Sequence, residues 1–267
     1  MSQQVREGAD AEKNFVTEIN KNKNDSRWKE LGIEEPGKFF AVRVNTQKMS
    51  KIHGKKVPCK SDVFIAKSEK NVDKFDLSED DLENFELKPK SSTGISIKKK
   101  DAEKIQWQKL GIDAVRELFG NTELGAGISI YERQGSNHQN LSETMDANQT
   151  IVIKWCDSQE NFEQYYEKEV PNISKLFDTT QNYEKRLEIA KEIGKIADKK
   201  MKKMIDDDKE LQKKIFWGIE VFEEPFCATY VFEDNKLRKT EGYFPNYSIT
   251  TGSNRTNIPT IAIKGSK

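Results

Sequence analysis

Hydrophobic positions fall first at a helical interval. Ala11, Phe15, Val16 and Ile19 recur three to four residues apart, which predicts a helix over about 10–20 with one apolar face, carrying Glu12 and Glu18 as well. The period then shortens. FFAVRV (39–44), SDVFIA (61–66), GISIKKK (94–100) and TIVIKW (150–155) are short, apolar and rich in β-branched residues, the pattern of strands. In the third of these, Ile95 and Ile97 share one face while Ser96 and Lys98 share the other, because side chains alternate along a strand. A short helix is expected over 113–119, closed by Gly120. Further helices are expected over about 158–170, stopping at Pro171, and 182–213, where Leu187, Ala190, Ile193, Ala197, Met201 and Met204 make an apolar stripe. Strands return in IFWGIEVF, FCATYVF and TIAIK. Helix, strands, helices and strands in that order predict an α/β or α+β fold, a central mixed β-sheet flanked by helices.

The 267 residues suffice for one large domain or two small ones. No repeat and no Gly/Ser- or Pro-rich linker divides them, so a single domain spanning 1–267 is expected, with an insertion at about 68–90 and a helical segment at about 158–214. The 45 basic residues cancel the 45 acidic ones, so net charge names no partner and any electrostatic footprint must be local. Residues 46–60 hold five lysines and no acid, whereas 61–86 carry nine acids against three lysines. No stretch approaches 18 apolar residues, which excludes a helical membrane span. MSQQVREGAD lacks the apolar region of a signal peptide, so a cytoplasmic location is expected. Cys59, Cys156 and Cys227 are too widely spaced for a cysteine zinc site and odd in number for a disulfide framework.

The richest chemistry lies in KKVPCKSDVFIAK followed by KSSTGISIKKK, which set Asp62 at a strand start and Lys98 on a later strand. With Lys60-Ser61-Asp62 leading a short strand and Gly94-Ile95-Ser96-Ile97-Lys98 after it, the region resembles the PD-(D/E)XK nucleases, and in particular Type II restriction endonucleases. The likeness covers about 50–120 and reaches REGADAEKNFVTEIN, which is similar to the opening helix of such enzymes. It implies a restriction-endonuclease-like fold and Mg²⁺-dependent hydrolysis of double-stranded DNA by a bacterial homodimer, with a cognate DNA methyltransferase as its genetic partner. It further implies that Asp62 is the bridging metal ligand, Lys98 the catalytic lysine, and the carbonyl of Ile97 a further ligand. Carboxylates hold the ion that offsets charge at phosphorus, while a lysine orients or deprotonates the attacking water.

Ser96 departs from that pattern, which has Asp or Glu two residues before the lysine. Either Glu12 supplies the second acid or the ion is held loosely. A competing motif, Glu86-Leu87-Lys88, follows Asp62 by 24 residues, but Pro89 makes it a poor interior strand. Lys55, Lys56 and Lys60, with Lys99 and Lys100, are candidate DNA contacts; a solvated loop accounts for them equally well. The acid-free stretch 242–267 offers Asn254, Arg255 and Asn257 to bases and phosphates, or forms a tail with one edge strand. Two other functions fit the same residues: a nucleic-acid-binding protein that keeps the nuclease fold without the metal, and a nuclease acting on damaged or structured DNA.

Overall fold

The computed structural model describes residues 3–98, 104–120, 128–132, 149–153, 159–176, 178, 183–251 and 261–266. In chain order these form α1 (Gln3–Lys21), α2 (Ser26–Glu30), β1 (Phe39–Arg43), α3 (Thr46–Ile52), β2 (Val63–Lys67), β3 (Lys88–Pro89) and β4 (Ile95–Ile97). After these come β5 (Lys104–Leu110), α4 (Ile112–Phe119), β6 (Ile128–Glu132), β7 (Gln149–Ile153), α5 (Gln159–Tyr166), α6 (Tyr183–Asp207) and α7 (Lys209–Trp217). The last elements are β8 (Tyr230–Glu233), β9 (Lys236–Lys239), β10 (Tyr247–Thr251) and β11 (Ile261–Ser266). The fold is mixed α and β, with a mixed central sheet flanked by helices, as the element order predicts. Among the described residues no helix is long and apolar enough to cross a membrane.

Where one domain was expected, the chain packs as two compact units: Met1–Ile105 with Gln212–Pro245, and Gln106–Leu211 with Asn246–Lys267. Two of the three crossings lie inside β5 and α7, where composition carries no sign of them, and the third lies at Pro245–Asn246 in the loop between β9 and β10.

The first unit contains the sheet β1-β2-β4-β8-β9, with β3 added to the far end of β2. The pairs are antiparallel except β4 with β8, which is parallel. The apolar face of α1, namely Phe15, Val16 and Ile19, packs onto Ala41, Val63, Ile65, Ile95 and Tyr230, and Trp28, Leu31 and Ile33 close the same core. Burying such side chains contributes about 1.5–3 kcal/mol each. Asn20 extends that helical face to the outermost strand. Its side-chain amide donates to the carbonyl of Ala41 and accepts from the N–H of Ala41, at 2.9 and 2.8 Å, so the helix satisfies an edge that could pair with another chain. Segment 68–90 lies against that end of the sheet: the N–H of Arg43 donates to the carbonyl of Leu77 at 2.9 Å, and Leu77 is buried.

The second unit holds a three-stranded sheet, β10-β11-β5, a hairpin of β6 with β7, and α6, which packs on β10. Gly120 ends α4 in the left-handed conformation, as its position predicts. Other expectations need correction. The helix foreseen over 182–213 breaks at Asp208, whose carboxylate accepts from the N–H of Leu211 and caps α7. IFWGIEVF is therefore the end of α7 and a turn rather than a strand. Its apolar run is buried in the helix, and periodicity cannot separate such a run from a buried strand. Met201 is core, but Met204 is exposed, because the buried stripe continues through Ala197, Met201 and Ile205 at intervals of four. The C-terminal stretch supplies two paired strands, β10 and β11, instead of one edge strand.

Candidate catalytic edge

Asp62 sits where β2 begins, and its main chain is held from both sides. Its N–H donates to the carbonyl of Ile95, and its carbonyl accepts from the N–H of Val44, each at 2.9 Å. Val63 pairs with Ile95, so β4 runs past the start of β2 and the N–H of Ile97 meets no strand there. The Asp62 carboxylate fills the place: Oδ2 accepts from the N–H of Ile97 at 2.7 Å and from the hydroxyl of Ser96 at 3.3 Å. On the opposite edge the N–H of Lys98 donates to the carbonyl of Phe232 at 2.8 Å, fixing the lysine between β4 and β8. Gly94 allows β4 to start there. A Cβ on it would lie 2.0 Å from the carbonyl oxygen of Cys227 and 2.5 Å from that of Pro225, closer than any side chain tolerates.

The electrostatics of this edge follow from burial. Desolvation raises the carboxyl of Asp62 above the usual carboxylate range, opposed by Lys98, the Ile97 N–H, the Ser96 hydroxyl and Lys60. Glu12 lies three and four residues ahead of Phe15 and Val16 on the inward face of α1. Burial, and then the charge of Asp62, push its carboxyl up to about 8, while Arg43 and Lys98 pull the other way. Lys98 is lowered by burial, against the carboxylates of Asp62, Glu233 and Glu12. Asp62, Glu12 and Lys98 thus feel one another's charge, with the Ile97 N–H and the Ser96 hydroxyl on Asp62.

Lys60 is corrected. It is a buried residue, not part of a solvated basic loop, and its stem packs under Gly218, whose Cβ position lies 2.9 Å from the lysine Cγ. Burial and the neighbouring Lys98 cation lower its ammonium to about 7. Lys56 is exposed and Lys55 half-buried on the segment after α3, while Lys99, Lys100, Asn254, Arg255 and Asn257 lie outside the described residues. The opposite charge blocks meet one another: Lys48 pairs with Asp80 at 2.7 Å and with Glu79 at 3.7 Å. The competing Glu86 and Lys88 are not brought to Asp62. Lys88 pairs with Lys67 at the far end of β2, and Glu86 is an exposed turn residue held by Lys70 at 2.9 Å.

Sequence reasoning missed Arg43, Glu233 and the inward direction of Lys60. Arg43 closes an apolar strand and could have been singled out as the one charge in FFAVRV; it also reaches Asp76 at 2.9 Å. Glu233 arrives on β8, far along the chain, and nothing local to it marks the role. Cys59 is buried, donates to the carbonyl of Phe226 at 3.0 Å and is pushed up to about 12 by burial, so its thiol is not a nucleophile.

Among the described residues no group of three or more His, Cys, Asp or Glu is placed to hold a metal. The donors at this edge are instead two carboxylates and main-chain oxygen, an all-oxygen set that suits a hard cation such as Mg²⁺. Burial first and then the charge of Asp62 raise Glu12, so a hard cation placed between the two carboxylates would offset charge that the chain itself leaves uncompensated. No family model matches the chain, and no curated protein matches it.

Proposed function

We propose that this chain is a Mg²⁺-dependent endonuclease of the PD-(D/E)XK type that hydrolyses phosphodiester bonds of double-stranded DNA at a specific sequence. In this reading it is a Type II restriction enzyme of the bacterial cytoplasm, acting as a homodimer beside a cognate methyltransferase. The observation that supports it is the meeting of Asp62, Ile97, Lys98 and Glu12 at one sheet edge, with Lys98 and Glu12 both feeling the charge of Asp62.

Asp62, Glu12 and the carbonyl of Ile97 would hold Mg²⁺, which when bound neutralises phosphate charge and lowers the pKa of a water. The other roles belong to the chain. The Ile97 N–H and Ser96 hydroxyl fix Asp62 through Oδ2. Lys98, whose burial eases loss of its proton, orients the attacking water and accepts a proton from it. The water oxygen bonds to phosphorus, the deoxyribose oxygen leaves with its electron pair, and a solvent water donates the proton that oxygen takes up. Arg43, beside Glu12, offsets negative charge from the helix side. The test is incubation with plasmid DNA in Mg²⁺ and in EDTA: discrete fragments with Mg²⁺ alone support the reading.

A second reading is a nucleic-acid-binding protein without catalysis. It is favoured by Ser96, which stands where the pattern has a carboxylate and turns its hydroxyl onto Asp62. Intact plasmid together with retained duplex binding would select it.

A further inference from the structure

Beside Lys98 the first unit has a cleft of about 500 Å³ whose lining does not suit a phosphate. Glu18, Asp25, Glu30 and Asp234 outnumber Arg27 and Lys98 there, so a phosphate is disfavoured inside the cleft while an uncharged group is not. The cleft is lined instead by Arg27 with the rings of Phe15 and Phe232. The guanidinium of Arg27 lies 5.0 Å from the ring centre of Phe15 and 5.7 Å from that of Phe232. Asp25 locks that plane, accepting from Nε and from Nη2 at 2.8 Å each, and also caps α2 by accepting from the N–H of Arg27 at 3.0 Å. Glu18 lies 3.6 Å from Nη2. The arginine charge is thereby matched by carboxylates, and what it adds to the cleft is a guanidinium held in place beside two edge-to-face rings.

From this geometry we infer that the cleft is a nucleobase site, in which a base lifted out of the DNA stack lies on the Arg27 plane beside the scissile phosphate. The inference rests on the nuclease reading for its substrate. Guanidinium planes and aromatic rings are the usual supports for an unstacked base. A concave pocket can receive a base only once it has left the helix, and this volume lies within the range of small-ligand sites. The rim of carboxylates accepts hydrogen bonds, so it selects bases with an exocyclic amino group, namely adenine, cytosine and guanine, over thymine. Asn235, on the tight Asp234-Asn235 turn between β8 and β9, adds a side-chain amide at the same cleft.

The test needs no cleavage, so it stands apart from the nuclease reading. Adenosine, cytidine, guanosine, thymidine and ribose 5-phosphate are titrated into the metal-free full chain by calorimetry and ligand-observed NMR. The parent is compared with Arg27→Lys, which keeps the charge and loses the plane, and with Arg27→Ala; circular dichroism checks that each variant folds. Saturable binding is expected for the three amino-bearing nucleosides. Thymidine should bind more weakly and ribose 5-phosphate not at all, and Arg27→Lys should lose about tenfold in affinity, the scale of one stacking contact. No saturation by any nucleoside, ribose 5-phosphate binding as well as the nucleosides, or an unchanged affinity in a folded Arg27→Lys would each overturn the inference. A plasmid left uncut while nucleosides bind would instead remove the nuclease reading alone.

Discussion

Replacing Glu12 by Gln should stabilise the metal-free protein at neutral and alkaline pH while removing its response to Mg²⁺. The folded protein keeps the Glu12 proton up to about pH 8, whereas the ordinary value is 4.5. Between these pH values the folded state binds more protons than the unfolded chain, so stability falls as pH rises through that window. Each pH unit costs about 1.4 kcal/mol, so the penalty at pH 7 is about 3 kcal/mol relative to pH 4.5. Gln mimics the protonated acid and escapes the loss. Urea unfolding of parent and variant should therefore give similar midpoints near pH 4.5 and a clearly higher midpoint for the variant at pH 8. Adding Mg²⁺ at pH 8 should stabilise the parent, because a ion bound only to the folded state shifts the equilibrium, and should leave the variant almost unmoved. Coincident midpoints at both pH values would show that Glu12 is not the strained carboxyl described above. Equal Mg²⁺ responses would remove it from the ion's ligands.

Asp62→Ala and Lys98→Ala should each lower plasmid cleavage at least about a hundredfold with the fold retained, whereas Lys88→Ala should cut normally. The reverse pattern would transfer the chemistry to Glu86 and Lys88. Lys60→Met should raise the urea midpoint most below pH 7, since the folded ammonium titrates at about 7 against an ordinary 10.5. In the parent, the unfolded chain binds more protons between those values and stability rises with pH; a parent curve parallel to that of the variant would refute the burial of a charge. Gly94→Ala forces a methyl into the carbonyls of Cys227 and Pro225 and should destabilise by about 3 kcal/mol or more; a variant as stable as the parent would mean that β4 does not start there. In Ca²⁺, duplex affinity should fall with salt, with a log-log slope of about 0.9 per phosphate contact, and Lys55→Ala/Lys56→Ala should flatten it. An unchanged slope would take both lysines off the DNA.

The candidate edge was legible where its pattern is local. Alternation in GISIK places Ser96 and Lys98 on one face, and the helical interval of Phe15, Val16 and Ile19 puts Glu12 on their side of the helix, whereas the roles given to Lys98 and Glu12 came from the family resemblance. What pattern could not supply is proximity across the chain. Glu233 and Gly218 reach the site from beyond residue 210, and nothing near Lys60 reveals that it is folded under Gly218. The lysine-rich look of 46–60 misled for the same reason: a run of like charges reads as solvated until a neighbour such as Asp80 or a buried shelf is known. β9 was missed because its Lys-Leu-Arg-Lys sequence is that of a charged outer strand with little apolar alternation. β5 and β10 mix amides and hydroxyls into their alternation, which blurs the period of two.

The parallel pairing of Ile95 with Tyr230 bears on how the protein is made. At ordinary rates of translation, on the order of ten seconds separates the emergence of those two strands from the ribosome. During that interval β1, β2 and β4 can form their antiparallel ladder, but the outer edge of β4 stays bare and Lys98 has no Phe232 carbonyl to fix it. Synthesis of Gln106–Leu211 of the second unit comes between, so a nascent or prematurely terminated chain carries Asp62, Ser96 and Lys98 without the strand that orders them. The ordered form of this edge therefore has to wait for β8, translated after α7.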